Sequence, residues 1–465
     1  MHLASPWTPR LGDAPADGGK RPLERLVAAL AEDITSGAVP TGARLPPHRE
    51  LAYQLGIGLG TVTKAYAALE RRGLVHAVRG RGMFVAGTTP LPQNRVDLSI
   101  NTPPQMLSDR LLAATLSKLA KRLDAGSFGA YTTGIGSPRQ RAQMAQWLGL
   151  QRLEIAAEQV LLCNGAQHAL SVAFALVAPS GTRVLTERHS YPGAISLARQ
   201  GLHPLEGLAC DAQGLLPQAL EQALTAQRAA EPAPVLYVTP TLQNPTGATM
   251  GLDRRLEIAR LCRAHDITVI EDDVYSIFAP PDMPPLAMLA PERVVYVSGL
   301  SKVLSPGLFM GVIAPPAALV PRAVAIIQAT SSMASPVTSL MMEEWLADGT
   351  APAIATSIRQ EAVRRNDLVR AILPEARIFS AARGFHLWLA MPLPEASALV
   401  RALAGDGVIL PAPERFTSDP EDAYSGLRIS IGAPPLEALE RALHLIRRRL
   451  DAAQASEQAG TAGYP

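Results

Sequence analysis

The sequence predicts an α/β protein in two unequal parts. A small N-terminal winged helix-turn-helix precedes a large body with a mainly parallel sheet and a smaller α+β end. Three observations predict it. Between Pro22 and Gly87 an amphipathic helix, two further helices and a basic Gly-rich hairpin follow one another. Beyond Val96 helical stretches alternate with short β-rich runs, the pattern of a layered fold with parallel strands. Near the C-terminus that alternation gives way to "RIFSAARGFHLWLAMP" and "YSGLRISIG", two strand-like runs with helices around them.

The bulk properties agree with this division. A chain of 465 residues exceeds one ordinary domain. Apolar residues at 48% and charged residues at 18% are usual for a globular protein. The net charge of +2 is uneven: residues 1–90 hold 11 Lys/Arg against 7 Asp/Glu, so the front is modestly basic. Cys163, Cys210 and Cys262 are far apart and form no CxxC pair, which argues against a disulfide framework or a metal site and fits a reducing cytoplasm. The N-terminus lacks an apolar signal core, and the longest apolar run, "ALSVAFALVAP", is too short to span a bilayer, so no membrane association is expected. The expected segments are a disordered N-terminus over 1–21, a front module over 22–87, a linker over 88–95, the large body over 96–450 and a loose tail over 451–465.

In the front module, Leu23, Leu26, Val27, Leu30 and Ile34 mark one face of a helix that stops at Gly37. "HRELAYQLG" is a second short helix, and "TVTKAYAALERRG", reached across "IGLG", is the third. "LVHAVRGRGMFVAG" then reads as two strands joined by a basic Gly-rich tip. This order suits double-stranded DNA. The third helix would enter the major groove with Thr61, Thr63 and Lys64. Arg44 and Arg49 would approach phosphates, and Arg81 at the wing tip would reach the minor groove. The stretch "GARLPPHRELAYQLGIGLGTVTKAYAALERRGLVHAVRGRGMFV" resembles the GntR family of bacterial repressors along its whole length. It departs from that pattern at Gly58-Leu59, where the family commonly carries a helix cap and a DNA-reading cation.

In the large body, "QVLLCN", "RVLTE", "APVLYVTP", "ITVIEDD" and "RVVYVSG" are the expected strands. Four segments at strand ends converge on one chemistry. "CNGAQHAL" is a strand–Gly–helix junction whose free N–H groups suit a phosphate. "TLQNPTGATM" offers an Asn at the mouth of a strand. "VIEDDVYSIF" ends a strand with a carboxylate that can keep a pyridine nitrogen protonated. "VSGLSKVLSPGLFMG" carries Lys302, whose amine can form a Schiff base. With these four segments in this order, residues 96–450 resemble fold-type I pyridoxal-phosphate enzymes of the aspartate aminotransferase class. The whole chain is similar to the MocR/GabR-type transcriptional regulators.

That resemblance implies pyridoxal 5'-phosphate as cofactor, held on Lys302 as an internal aldimine. It implies that Asp272 pairs with the pyridine nitrogen, that Asn244 and Tyr275 bond the 3-oxygen, and that Tyr191 stacks on the ring. Gly165, Ala166 and Gln167 would cradle the phosphate, with Ser301 among the cofactor contacts. Arg428 would clamp the carboxylate of a small amino-compound effector. A homodimer with two DNA-reading heads follows from the same resemblance, and the short linker predicts closely spaced half-sites.

Two positions break the pattern. Gly299 and Phe309 stand where the family carries a hydroxyl and an arginine for the phosphate. Charge-assisted bonds of that kind contribute about 1.5–3 kcal/mol each. Either another cation fills in, or the cofactor is held more loosely, or the pocket takes a different ligand. Retention of Asn244, Asp272, Tyr275 and Lys302 favours the first two. The expected function is thus a regulator that senses an amino compound through aldimine exchange. The competing readings are a working aminotransferase with an accessory DNA-binding part, and a DNA-binding protein whose rear body is only a dimerisation scaffold.

Overall fold

The computed structural model describes residues 22–36, 38–40, 42–72, 74–78, 82–85, 95–123, 134–227, 232–280, 282–373, 378–379 and 383–461. The chain divides into two compact units, with the division after residue 94. The expected disordered N-terminus lies outside the described residues, as does all of the expected linker except Arg95.

The front unit holds helices Pro22–Thr35, His48–Leu55 and Leu59–Arg71, and an antiparallel hairpin of Val75–Val78 with Gly82–Val85. Leu26 and Leu30 from the first helix, Leu51 from the second and Val62, Ala65 and Leu69 from the third are buried together. Val75, Met83 and Val85 close that core from the hairpin. The second helix stops at Gly56, whose φ of 63° is the left-handed geometry that glycine reaches without a Cβ penalty. The third helix begins at Leu59, two residues before the expected Thr61, because Gly58 already takes extended geometry at its N-cap.

In the rear unit a seven-stranded sheet runs in the order Leu161–Asn164, Met310–Ala314, Val294–Gly299, Thr268–Asp272, Val235–Val238, Val184–Glu187, Leu205–Leu208. Met310–Ala314 is antiparallel to both neighbours, and the remaining pairings are parallel. Side chains alternate between faces, so Val269 joins one core cluster and Ile270 the other. Both faces are buried, as parallel strands require. A second, antiparallel sheet of Ile378–Phe379, His386–Pro392 and Tyr424–Ser430 forms the smaller end part. Val96–Asp97 pairs in parallel with Val408–Ile409, which ties the start of this unit to its C-terminal portion.

One expectation needs correction. The chain does not loosen at residue 451: the last helix runs Leu436–Thr461. Its extension is rich in alanine, a strong helix former, and Arg447 pairs with Asp451 one turn on at 2.9 Å.

Candidate functional site

The parallel strands end on one edge of the sheet, and the loops that follow them enclose a cavity of about 550 Å³. Strand periodicity selects what faces it. Of the consecutive acids Glu271, Asp272 and Asp273, all buried, only Asp272 lines the cavity. Glu271 turns to the opposite face and accepts backbone N–H bonds from Leu286 and Ala287, each at 2.8 Å.

Asp272 is held on one side only. Its Oδ2 accepts from the Tyr237 hydroxyl at 2.9 Å, while Oδ1 is buried with no partner among the described residues. Burial pushes its carboxyl up to about 6, against the Tyr237 bond that favours the charged form. Lys302, just past strand Val294–Gly299, donates its Nζ to the backbone carbonyl of Asn101. Desolvation, reinforced by the charge of Arg428 and opposed by Asp272, lowers this amine to about 8. A minor fraction, larger than for a solvated lysine, is therefore unprotonated and nucleophilic near neutral pH.

Around these two groups lies a buried polar network. Asn101 Nδ2 donates to the Tyr275 hydroxyl at 2.7 Å and lies 3.1 Å from His386 Nδ1. Burial lowers His386 to about 4, so the ring is neutral. With Nδ1 accepting, Nε2 carries the proton and donates to the Gln243 carbonyl at 3.1 Å. The Tyr275 proton is left free to point into the cavity. Arg428, on strand Tyr424–Ser430, donates to Asn244 Oδ1 at 3.1 Å and to the Ser99 carbonyl, and its guanidinium lies 5.0 Å from the centre of the Phe416 ring.

The opposite end of the cavity is built from backbone. Helix Gly165–Val177 starts there with no side-chain cap, and Ala166 and Gln167 line the space. Gly165 has a φ of 75°, and an added Cβ would come 3.3 Å from the Phe309 ring. Phe309 is 60% exposed and lies against the helix start. A Cβ on Gly299 would sit 3.1 Å from both the Ala166 Cβ and the Met310 carbonyl. The Tyr191 hydroxyl donates to Gln167 Oε1 at 3.0 Å.

The structure therefore brings Ala166, Gln167, Tyr191, Asn244, Asp272, Tyr275, Ser301, Lys302 and Arg428 to one cavity, with Gly165 just behind its wall. Sequence reasoning missed Ser99 and Asn101, which no motif marks, and Tyr237, His386, Arg415 and Phe416. Tyr237 comes to the site through strand pairing, in register with Ile270, two residues before Asp272 on the neighbouring strand.

In the front unit, Arg44, Arg49, Thr63 and Lys64 are exposed and Thr61 is half-buried. The Thr63 hydroxyl is turned back onto the Leu59 carbonyl at 3.0 Å, and Leu59 is 45% exposed at the helix start. Arg81 lies outside the described residues.

Residues 93–446 match the family "Aminotransferase class I and II", and residues 22–85 match "Bacterial regulatory proteins, gntR family". The HTH-type transcriptional regulator YdeF of Bacillus subtilis is 26% identical over 457 residues, covering 96% of this chain and 97% of that protein. The HTH-type pyridoxine biosynthesis transcriptional regulator PdxR of Corynebacterium glutamicum is 26% identical, covering 84% of this chain and 88% of the other. Among solved structures, the α-aminoadipate aminotransferase LysN of Thermus thermophilus, complexed with N-(5'-phosphopyridoxyl)-L-leucine, aligns with a TM-score of 0.68 and 25% identity. That alignment covers 78% of this chain and 94% of the other.

Proposed function

The chain belongs to the aminotransferase class I and II family and, with its gntR-type front unit, is a DNA-binding transcriptional regulator; we propose that its rear unit binds pyridoxal phosphate and reads a small amino compound. The observation that carries this reading is Asp272 Oδ1, a buried carboxylate oxygen with no side-chain partner among the described residues, on the wall that also bears Lys302. A buried polar atom left unbonded costs about 1–3 kcal/mol, so it asks for a donor such as a protonated pyridine nitrogen. The residues present fit the group. When bound, pyridoxal phosphate supplies an aldehyde that a primary amine captures and a ring that withdraws electrons while its nitrogen stays protonated.

Each residue then has a task it is placed to perform. Lys302 offers the amine, and Asp272 holds the ring proton. Tyr275 donates its hydroxyl and Tyr191 offers a ring face, while the N–H groups of Ala166 and Gln167 receive the phosphate. Arg428 holds a carboxylate. Lys302 and Arg428 also hold the carbonyls of Asn101 and Ser99, in the segment that follows directly on the expected linker. A cofactor and an amino compound that engage both side chains compete with those carbonyls, so ligand binding favours a second arrangement of residues 99–101. Such differential binding is what a switch requires. The weak phosphate end favours a sensor over an aminotransferase in turnover. The reading places the protein in the cytoplasm as a homodimer that presents two DNA-reading heads to two half-sites.

The test is an absorption titration of the whole protein with pyridoxal phosphate, alongside operator affinity. A visible band is expected in the parent protein and not in Lys302→Ala, whose operator affinity should no longer respond to amino compounds. A band of equal strength in Lys302→Ala removes the covalent role. A parent protein without any band removes the cofactor altogether.

A further inference from the structure

The charged side chains that line the cavity are Asp272, Lys302, Arg415 and Arg428. Asp272 and Lys302 face each other's fields, and Arg428 is committed to Asn244 and Ser99. The Arg415 side chain has neither an ion pair nor a hydrogen bond among the described residues, its backbone N–H donating to the Ala412 carbonyl at 3.3 Å, and the residue is exposed. A residue that both lines a cavity and is exposed stands at its mouth. It sits on the short turn Pro413–Phe416, and the next residue, Phe416, places its ring 5.0 Å from the Arg428 guanidinium. The neighbouring acid Glu414 forms no ion pair with it among the described residues and accepts a bond from the Ser397 hydroxyl. Arg415, Arg428 and Tyr191 all line the cavity, and the charge of Arg415 weighs on the other two.

We propose that Arg415 is a second anion site of the effector pocket, and that the effector is an amino acid whose side chain carries its own carboxylate. This rests on the reading of the cavity as a pyridoxal-phosphate and amino-compound site. An amino acid with its α-carboxylate on Arg428 lies beside Phe416, within the field of Arg415. A side-chain carboxylate there meets a guanidinium with free donors, a geometry suited to bidentate pairing. An amide of the same shape brings no charge and gains far less.

The competing use of Arg415 is as a stand-in for the phosphate arginine replaced at Phe309. Its place beside Phe416, whose ring lies 5.0 Å from the Arg428 guanidinium, puts it next to the carboxylate clamp and argues against that use.

Isosteric pairs test the assignment. L-glutamate against L-glutamine, and L-aspartate against L-asparagine, are titrated into the cofactor-loaded protein while absorption and operator affinity are followed. The acid of at least one pair is expected to act at concentrations about tenfold or more below its amide. Arg415→Gln should remove that advantage while leaving the amide response and the affinity for pyridoxal phosphate unchanged. Equal response to acid and amide in the parent protein overturns the assignment while leaving the cofactor reading intact. A fall in pyridoxal-phosphate affinity in Arg415→Gln also overturns it, because the cation then serves the phosphate. A parent protein with no cofactor band overturns both readings together.

Discussion

The two ends of the rear cavity are built from different materials. At one end Asp272, Tyr237, Asn101, Tyr275 and His386 form a buried network of side chains, each positioned by at least one partner. At the other, a helix start, two close-approaching glycines and a phenylalanine ring leave recognition to backbone N–H groups. Side-chain networks in a low-dielectric interior are specific, because every misfit leaves a polar group unpaired. A helix N-terminus attracts any anion of suitable size. On the proposed reading, the molecule would concentrate discrimination at the ring end and hold the phosphate end only weakly. A catalyst gains from holding its cofactor through many cycles, whereas a sensor needs ligand-dependent change, and this asymmetry suits the latter.

The largest effect that would break the comparison comes from Asp272→Ala. On the proposed reading, removing the carboxylate would strip the ring nitrogen of its partner, and it also takes away the acceptor of the Tyr237 hydroxyl. Affinity for pyridoxal phosphate should fall by about ten- to a hundredfold, from a charge-assisted bond of about 1.5–3 kcal/mol. Equilibrium dialysis measures it. A loss below about threefold would mean that the ring end is not where the affinity resides.

Phe309→Arg probes the other end in the opposite direction. The Phe309 ring already lies against Gly165, so an arginine from the same position extends over the helix start. Gains are smaller than losses here, because a 60% exposed site keeps part of its water. We expect cofactor affinity to rise by about tenfold, in the same dialysis measurement. Unchanged affinity would show that another group already saturates the phosphate.

How much of this was legible follows from the physics of each residue. The strands around the cavity announced themselves as β-rich runs between helical stretches, and Lys302, Asp272 and Asn244 stand at strand ends, where chain topology fixes their destination. The asymmetry was visible too, in Gly299 and Phe309. Asn101 was not, because it reaches the cavity only through tertiary contact with Tyr275 and His386, far away in sequence. Arg415 was hidden likewise, since nothing in "PAPERF" distinguishes a cavity-mouth cation from a surface one. The last helix was misjudged because the polar, alanine-bearing "DAAQASEQAG" reads as loose on composition but is helical on propensity.

The smallest effect separates a missing ligand from a structural necessity. Gly299→Ser restores a hydroxyl near the helix start, and a sequence-level view expects tighter cofactor binding. The packing argues otherwise. The new Cβ would stand 3.1 Å from the Ala166 Cβ and 3.1 Å from the Met310 carbonyl, so the helix start or the strand must yield by a few tenths of an ångström. Gly311 limits that movement, because a Cβ there would meet the Gly165 carbonyl carbon at 2.3 Å, so the same backbone is pressed from a second strand. Overpacking of this kind costs about 1–3 kcal/mol, comparable to the bond the serine would make. Cofactor affinity in Gly299→Ser should therefore change by less than about threefold, while thermal unfolding of the unliganded protein moves to lower temperature. A tenfold gain in affinity with unchanged unfolding would show that the two glycines do not fix the cradle. The weak phosphate end would then be a matter of absent side chains alone.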